Sequence, residues 1–188
     1  MPGGTLVDKR ATGDPMKIAT AVSGRRLMIA LEPGDEVLSS LATACRDAGI
    51  DQGVISTFSG ALRWARLIAS DTVPADPELP LPDHIEATYC EGVGSGTITR
   101  DPDGAHVVHV HVALGEKDRS GAAVAGHLLA AETHYVVEVV IDEVLAPVMT
   151  RTAHPCSSGV AILGFVGSAP PADHGAGSES ADEARTTS

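Results

Sequence analysis

Residues 105–114, Ala-His-Val-Val-His-Val-His-Val-Ala-Leu, constrain this chain more than any other stretch. Histidine and valine alternate through the run, and a period of two belongs to a β-strand, whose side chains point to opposite faces in turn. His109 and His111 therefore project from one face, and a third imidazole, His127, follows Gly126 a short distance on. Three ring nitrogens are the usual protein share of an open metal site, the fourth position being left to water or substrate. A lone histidine on a strand is most often solvated or bonded to a neighbour. A His-x-His pair inside a valine run is harder to account for in that way. Three neutral imidazoles suit Zn²⁺ best, with Fe, Mn, Ni and Co as competitors.

Composition narrows the class. A chain of 188 residues suits one domain. It is 43% hydrophobic but only 3% aromatic, so its core must be aliphatic, and the Val, Ile and Thr runs favour strands. No eighteen-residue apolar stretch occurs, so no membrane-crossing helix is expected. Residues 1–15 lack the apolar segment of a secretory signal. Cys45, Cys90 and Cys156 are scattered and odd in number, which fits reduced thiols in a cytoplasm rather than a disulfide framework. The formal net charge is −12. Residues 168–188 carry four carboxylates against Arg185 and residues 1–15 are balanced, so −9 of that charge lies on the body. Duplex binding draws most of its affinity from neutralising phosphates. The clustered cations here, Arg25-Arg26 and Arg63 with Arg66, are too few to supply a basic face, so nucleic acid is not an expected partner.

The first fifteen residues, rich in Gly, Pro and Thr, and the acidic stretch 168–188 bury too little to offset the entropy of ordering them. Both are expected to be disordered, with the folded body at 16–167. Inside it, 17–22 and 26–31 read as strands around a Ser23-Gly24 turn. Asp35 is the expected N-cap of a helix whose apolar residues Val37, Leu38, Leu41, Ala44, Cys45 and Ala48 recur at helical spacing up to Gly49. Residues 52–58 and 63–69 read as strands separated by Ser59-Gly60-Ala61. Prolines make 73–82 a loop. The strand 84–99 is interrupted by Gly92, Gly94 and Gly96, signs of a bulge or of close backbone approach. Asp101-Pro102-Asp103-Gly104 is a turn and 115–121 a loop. A second short helix is expected near 125–132, followed by strands over 135–141, 144–150 and 159–166. The expected fold class is α+β: a mostly antiparallel sheet flanked by one or two helices.

An ordered set of motifs then carries a resemblance. Arg25-Arg26-Leu27, Leu31-Glu32-Pro33-Gly34-Asp35, Ser59-Gly60-Ala61-Leu62, Gly96-Thr97-Ile98, His109-Val110-His111, Gly126-His127-Leu128 and Glu138-Val139-Val140-Ile141 occur in that order. The set, spanning about 25 to 142, resembles the PPC (DUF296) domain, which occurs in plant AT-hook proteins and as stand-alone prokaryotic proteins. The resemblance implies an antiparallel-sheet domain that assembles as a homotrimer. It also implies a metal held by the histidines that here are His109, His111 and His127. The chain lacks the Arg-Gly-Arg-Pro hook of the plant members, which weakens any transfer of DNA binding. Fold likeness alone does not deliver function.

Around such a metal, Glu138 is the candidate catalytic group: a carboxylate within Tyr-Val-Val-Glu-Val-Val-Ile, sharing a strand face with His134, Val136 and Val140, is costly to bury without a partner. It could orient a histidine, act as general acid or base, or pair with an arginine. Arg26 and Arg151 are candidates to pair with it or to hold an anionic substrate. Glu86 and Glu91 read as solvated edge carboxylates. His84, His106, His134 and His154 carry no spacing argument, and Trp64 and Tyr89 read as packing residues. No Gly-x-Ser-x-Gly elbow and no Walker loop is present, which disfavours serine hydrolases and nucleotide-triphosphate enzymes. Three functions follow in order of preference. The first is a metal-dependent small-molecule enzyme of lyase, decarboxylase or hydrolase type. The second is a metal- or ligand-binding regulatory module without turnover, and the third a DNA-associated regulator.

Overall fold

The computed structural model describes residues 16–167 apart from 71, 73, 77, 78, 82, 155 and 156, so the expected disorder of 1–15 and 168–188 lies outside the described residues. Along the chain run β1 (Val22–Leu31), α1 (Val37–Ala48), β2 (Gly53–Ile68), β3 (His84–Arg100), β4 (His106–Glu116), β5 (Ala122–Ala146), β6 (Val148–Ala153) and β7 (Ala161–Val166), with one 3-10 turn at Lys117–Arg119.

The valine- and alanine-rich 25 residues of β5 are the central element. One edge of β5 pairs with β2, from Gly53 opposite Glu143 to Ile68 opposite His127. The other edge is divided. Residues 122–127 pair with β4, and residues 137–146 pair with β1. Because β2 also pairs with β3, and β3 with β4, the sheet closes on itself like a barrel, all antiparallel. Strands β6 and β7 form a separate hairpin. The fold is thus mostly β with one α-helix among the described residues, not the α+β class expected. The helix expected near 125–132 is strand: Leu128 and Ala131 are buried in a ladder with β2, and tertiary pairing outweighs the helical propensity of Leu-Leu-Ala-Ala.

Helix α1 forms where its apolar spacing predicts, and buries Val37, Leu41 and Cys45 against β1, β4 and β5. Its N-cap is Glu36 rather than Asp35: the Glu36 carboxylate accepts from the Ser39 amide at 2.7 Å. The Asp35 carboxylate instead closes the preceding turn onto the Glu32 amide. Gly49 ends the helix in the left-handed region, φ 64°. Arg25 finishes that end. Its guanidinium donates to the carbonyls of Ala48 and Gly49 and, on its other side, to both carboxylate oxygens of Glu143. That pairing, with the Arg25 amide, holds the Glu143 carboxyl down at about 2.

Several local expectations change for one reason, pairing continuity. Residues 17–21 are not strand, and Ser23-Gly24 is not a turn but a register irregularity inside β1. Ser59-Gly60-Ala61 does not divide two strands: β2 runs straight through, and a Cβ at Gly60 would meet the Val136 carbonyl of β5. At Gly92, Gly94 and Gly96, β3 pairs with β4 without a break from Cys90 opposite Glu116 to Arg100 opposite His106, and the expected irregularity lies on the other edge, where the β2 ladder shifts register between Ile55 opposite Gly96 and Ser59 opposite Val93. The glycines also serve close approach. A Cβ at Gly96 would collide with the His109 carbonyl oxygen and one at Gly92 with that of Ala113. Cys45 and Cys90 are free and buried, with burial raising both thiols to about 11; Cys156 lies outside the described residues. No helix among the described residues is long and apolar enough to cross a membrane.

The substitution Gly96→Ala is expected to lower the free energy of unfolding by about 1–3 kcal/mol or more, because the neighbour that must yield is backbone. Urea melts followed by far-UV circular dichroism will measure it. A change below about 0.5 kcal/mol would mean that β3 and β4 do not approach as closely as described.

Candidate metal centre

Alternation along β4 sorts its side chains. Val110, Val112 and Leu114 point into the core and are buried, so His109 and His111 occupy the opposite, outward face. The register between β4 and β5 sets His127 directly opposite His111. All three imidazoles are thus delivered to one face at the seam where β5 closes the barrel. Their ligand nitrogens lie within 4.8 Å of one another. The ring centroids are 4.9 Å apart for His109 and His111, 4.6 Å for His109 and His127, and 5.2 Å for His111 and His127. His111 is exposed, and His109 and His127 are half-buried.

The donor set fits a divalent transition metal. Nitrogens bound tetrahedrally at about 2.0–2.1 Å stand roughly 3.4 Å apart, a contraction that small side-chain rotations supply. No protein group among the described residues hydrogen-bonds any of the three rings. Their electrostatics also favour the ligand form. Burial, then the charge of Arg151, then the other two histidines lower the His109 pKa to about 4. Burial, His111 and Arg151 lower that of His127. Neutral imidazole, with a free lone pair, is the species that binds a metal.

Of the other residues singled out in the sequence, Arg151 is brought to this centre and Arg26 and Glu138 are not. Arg151 rises from β6, and its Nη2 donates to the Thr97 hydroxyl at 2.9 Å. Thr97 is the residue of β3 directly opposite His109. Gln52 fixes where β6 begins: its buried side-chain amide donates to the carbonyls of Val144 and Pro147 and accepts from the Met149 amide. A cleft of about 530 Å³ runs beside β6, lined by Gln52, Arg100, Met149 and Arg151 among others, and excludes the three histidines. Arg26 instead pairs with Asp142 at 2.6 Å at the far end of β5. Glu138 is exposed on the outward face, opposite Ala30 and Ser59. Ten residues of strand lie between it and His127, a path along β5 of at most about 35 Å, and it is not among the clustered ligands. The carboxylates that are buried are Glu116 and Glu143. Thr97 stands in a quoted motif, but its place opposite His109 shows only in the strand register, and the role of Gln52 only in its long-range hydrogen bonds. Tyr89, read as a packing residue, is exposed instead, and the Lys117 ammonium stands over its ring and that of Tyr135.

The family model of the Plants and Prokaryotes Conserved (PCC) domain matches residues 18–145. A search of the curated proteins finds no match. Among solved structures, a plant- and prokaryote-conserved (PPC) protein of Pyrococcus horikoshii aligns with TM-score 0.63 and 21% identity, over 78% of this chain and 97% of that one. A metal-containing protein of Archaeoglobus fulgidus aligns with TM-score 0.62 and 21% identity, over 78% and 98%. A candidate DNA-binding protein of Bacteroides thetaiotaomicron aligns with TM-score 0.62 and 23% identity, over 77% and 97%. At these identities the likeness is one of fold.

The depressed His109 pKa has a consequence for stability. Above about pH 6.5 its ring is neutral in folded and unfolded chains alike. Between about 6.5 and 4 the unfolded chain takes up the proton and the folded one does not, so the metal-free protein is expected to lose stability as pH falls through that window. Denaturant melts at stepped pH after chelation will report it. Proton NMR of the His109 ring should give a midpoint near 4, and one that moves up in Arg151→Gln. A midpoint at the ordinary histidine value would refute the described environment.

Proposed function

The chain belongs to the Plants and Prokaryotes Conserved domain family, and from that membership and its converging imidazoles we propose that it binds a divalent transition metal, Zn²⁺ first, through His109, His111 and His127. The observation that carries this reading is the convergence itself: three ring nitrogens on one sheet face, unclaimed by other protein groups among the described residues. The metal-containing Archaeoglobus relative of the same fold supports it.

Three protein ligands leave a vertex for water or a small molecule. Bound there, the metal would act as a Lewis acid, or lower the pKa of a water toward neutrality. Small-molecule chemistry of the lyase, decarboxylase or hydrolase kind is the preferred use of such a centre. The contribution of the chain's own residues is to keep the His109 and His127 imidazoles neutral and the vertex open. Glu138 stands outside this chain's own cluster, so a catalytic Glu138 at the centre is best supplied by another protomer. Without such a carboxylate, the site serves a metal- or ligand-binding module that lacks turnover. The net charge of −12 argues against the DNA-associated reading.

A homotrimer is the assembly proposed. Met28 is 78% exposed, Val93 59%, Tyr135 55% and Val136 39%. Apolar surface of this kind is normally covered in a cyclic assembly.

Elemental analysis of protein purified without added metal is expected to find about one divalent ion per chain. His111→Ala and His127→Ala should lose it, weakening affinity beyond the roughly 10–100-fold that loss of a supporting partner costs, while His106→Ala should keep it. Full metal content in His111→Ala would refute the assignment. Light scattering should give three chains per particle for the parent and a smaller particle for the double variant Met28→Glu, Val136→Lys; a monomeric parent would remove the trimer.

A further inference from the structure

Resting on the metal assignment above, we propose that the open side of the centre binds a small carboxylate, one oxygen toward the metal and the other toward the Arg151 guanidinium. Charge balance is the first reason. His109, His111 and His127 are neutral donors, and no Asp or Glu joins them in the cluster. A divalent ion there would keep its full charge, and Arg151 adds another. Among the described residues Arg151 makes no ion pair; its contacts are the Thr97 hydroxyl and, at 3.4 Å, the Ala161 carbonyl. Every other arginine with a role in the fold, Arg25, Arg26, Arg63, Arg66, Arg100 and Arg119, faces a carboxylate of this chain.

Geometry is the second reason. Arg151 Nε is buried and has no hydrogen-bond partner, an expensive state for a charged donor unless something is meant to meet it. Its guanidinium is tethered to Thr97, whose cross-strand neighbour is His109. Directly opposite side chains in a ladder stand with their Cβ atoms about 4.5–5.5 Å apart. The cation and the metal position therefore share one short stretch of surface. A carboxylate suits this pair because its two oxygens match one planar guanidinium and one metal vertex. A phosphate would bring a third oxygen for which the described residues offer no further cation beside the centre.

The test uses the full chain loaded with Co²⁺, whose visible spectrum reports ligand exchange at the metal. Cobalt content is measured first by elemental analysis, and the spectrum is then followed during titration with acetate, inorganic phosphate or chloride. Acetate should shift the spectrum and saturate, and phosphate and chloride should require at least about tenfold higher concentrations. Arg151→Gln should weaken acetate about tenfold or more with cobalt content unchanged. Arg151→Lys should recover only part of the loss. Thr97→Val, which frees the guanidinium without removing it, should also weaken acetate and guards against a misfolded Arg151 variant. Chains that take up cobalt but show no acetate response, acetate affinity equal to the parent's in both Arg151→Gln and Thr97→Val, or tighter binding of phosphate, would overturn the carboxylate proposal alone. Chains that take up no cobalt would overturn the metal assignment and this proposal with it.

Discussion

The ladder hydrogen bonds of β5 satisfy both of its edges over most of 25 residues, and that double pairing decides the architecture. A strand that met only β2 would leave a long row of backbone donors and acceptors open to other chains. By meeting β4 early and β1 late, β5 shuts the sheet and gives α1 a wall to cover. The apolar inward residues Val137, Val139 and Ile141 then meet Leu41 and Ile55 in one core. Arg25 and Glu143 complete the arrangement by fastening the end of α1 to the last turns of the β1 ladder. In each case local sequence preference yields to the need to pair backbone groups.

That precedence explains what could be read in the sequence and what could not. The period-two run of β4 is enough by itself to place His109 and His111 on one face, and the ordered motifs are enough to carry the family. Helix α1 was legible because its apolar spacing agrees with its caps. Residues 125–132 were not legible as strand, since Leu and Ala favour a helix in isolation and only pairing with β2 and β4 makes them extended. Ser59-Gly60-Ala61 and the β3 glycines look like breaks in one dimension; in three they mark where another backbone lies close. Glu138 was singled out because an acidic residue between valines reads as buried. Val137 and Val139 do face inward, but alternation turns Glu138 outward between them, and burial falls on Glu143, five residues further on and matched to an arginine more than a hundred residues earlier. Long-range partners of this kind leave no local trace.

The electrostatics of the candidate centre differ from the rest of the molecule. Elsewhere among the described residues, arginines are matched with carboxylates. Around His109 the pattern reverses: the His109 and His127 imidazoles are held neutral, Arg151 stands beside them, and acidic side chains are absent from the cluster. An acidic surface surrounding a locally cationic spot favours entry of metal ions over the wider surface and of small anions at the spot itself. The position of β6, set by the buried Gln52 amide, is what brings Arg151 to that spot.

His111 and His127 face each other across the one stretch where β4 and β5 meet. A slip of that ladder by a single residue would send one imidazole to the inside of the sheet and leave the other behind. An ion gripping both rings would act as a clasp on the seam, favouring the aligned barrel over every misthreaded alternative by the free energy of its own binding. Occupancy and correct closure would then be one equilibrium, and a chain that captured its ion late would have, until that moment, no penalty for closing out of step.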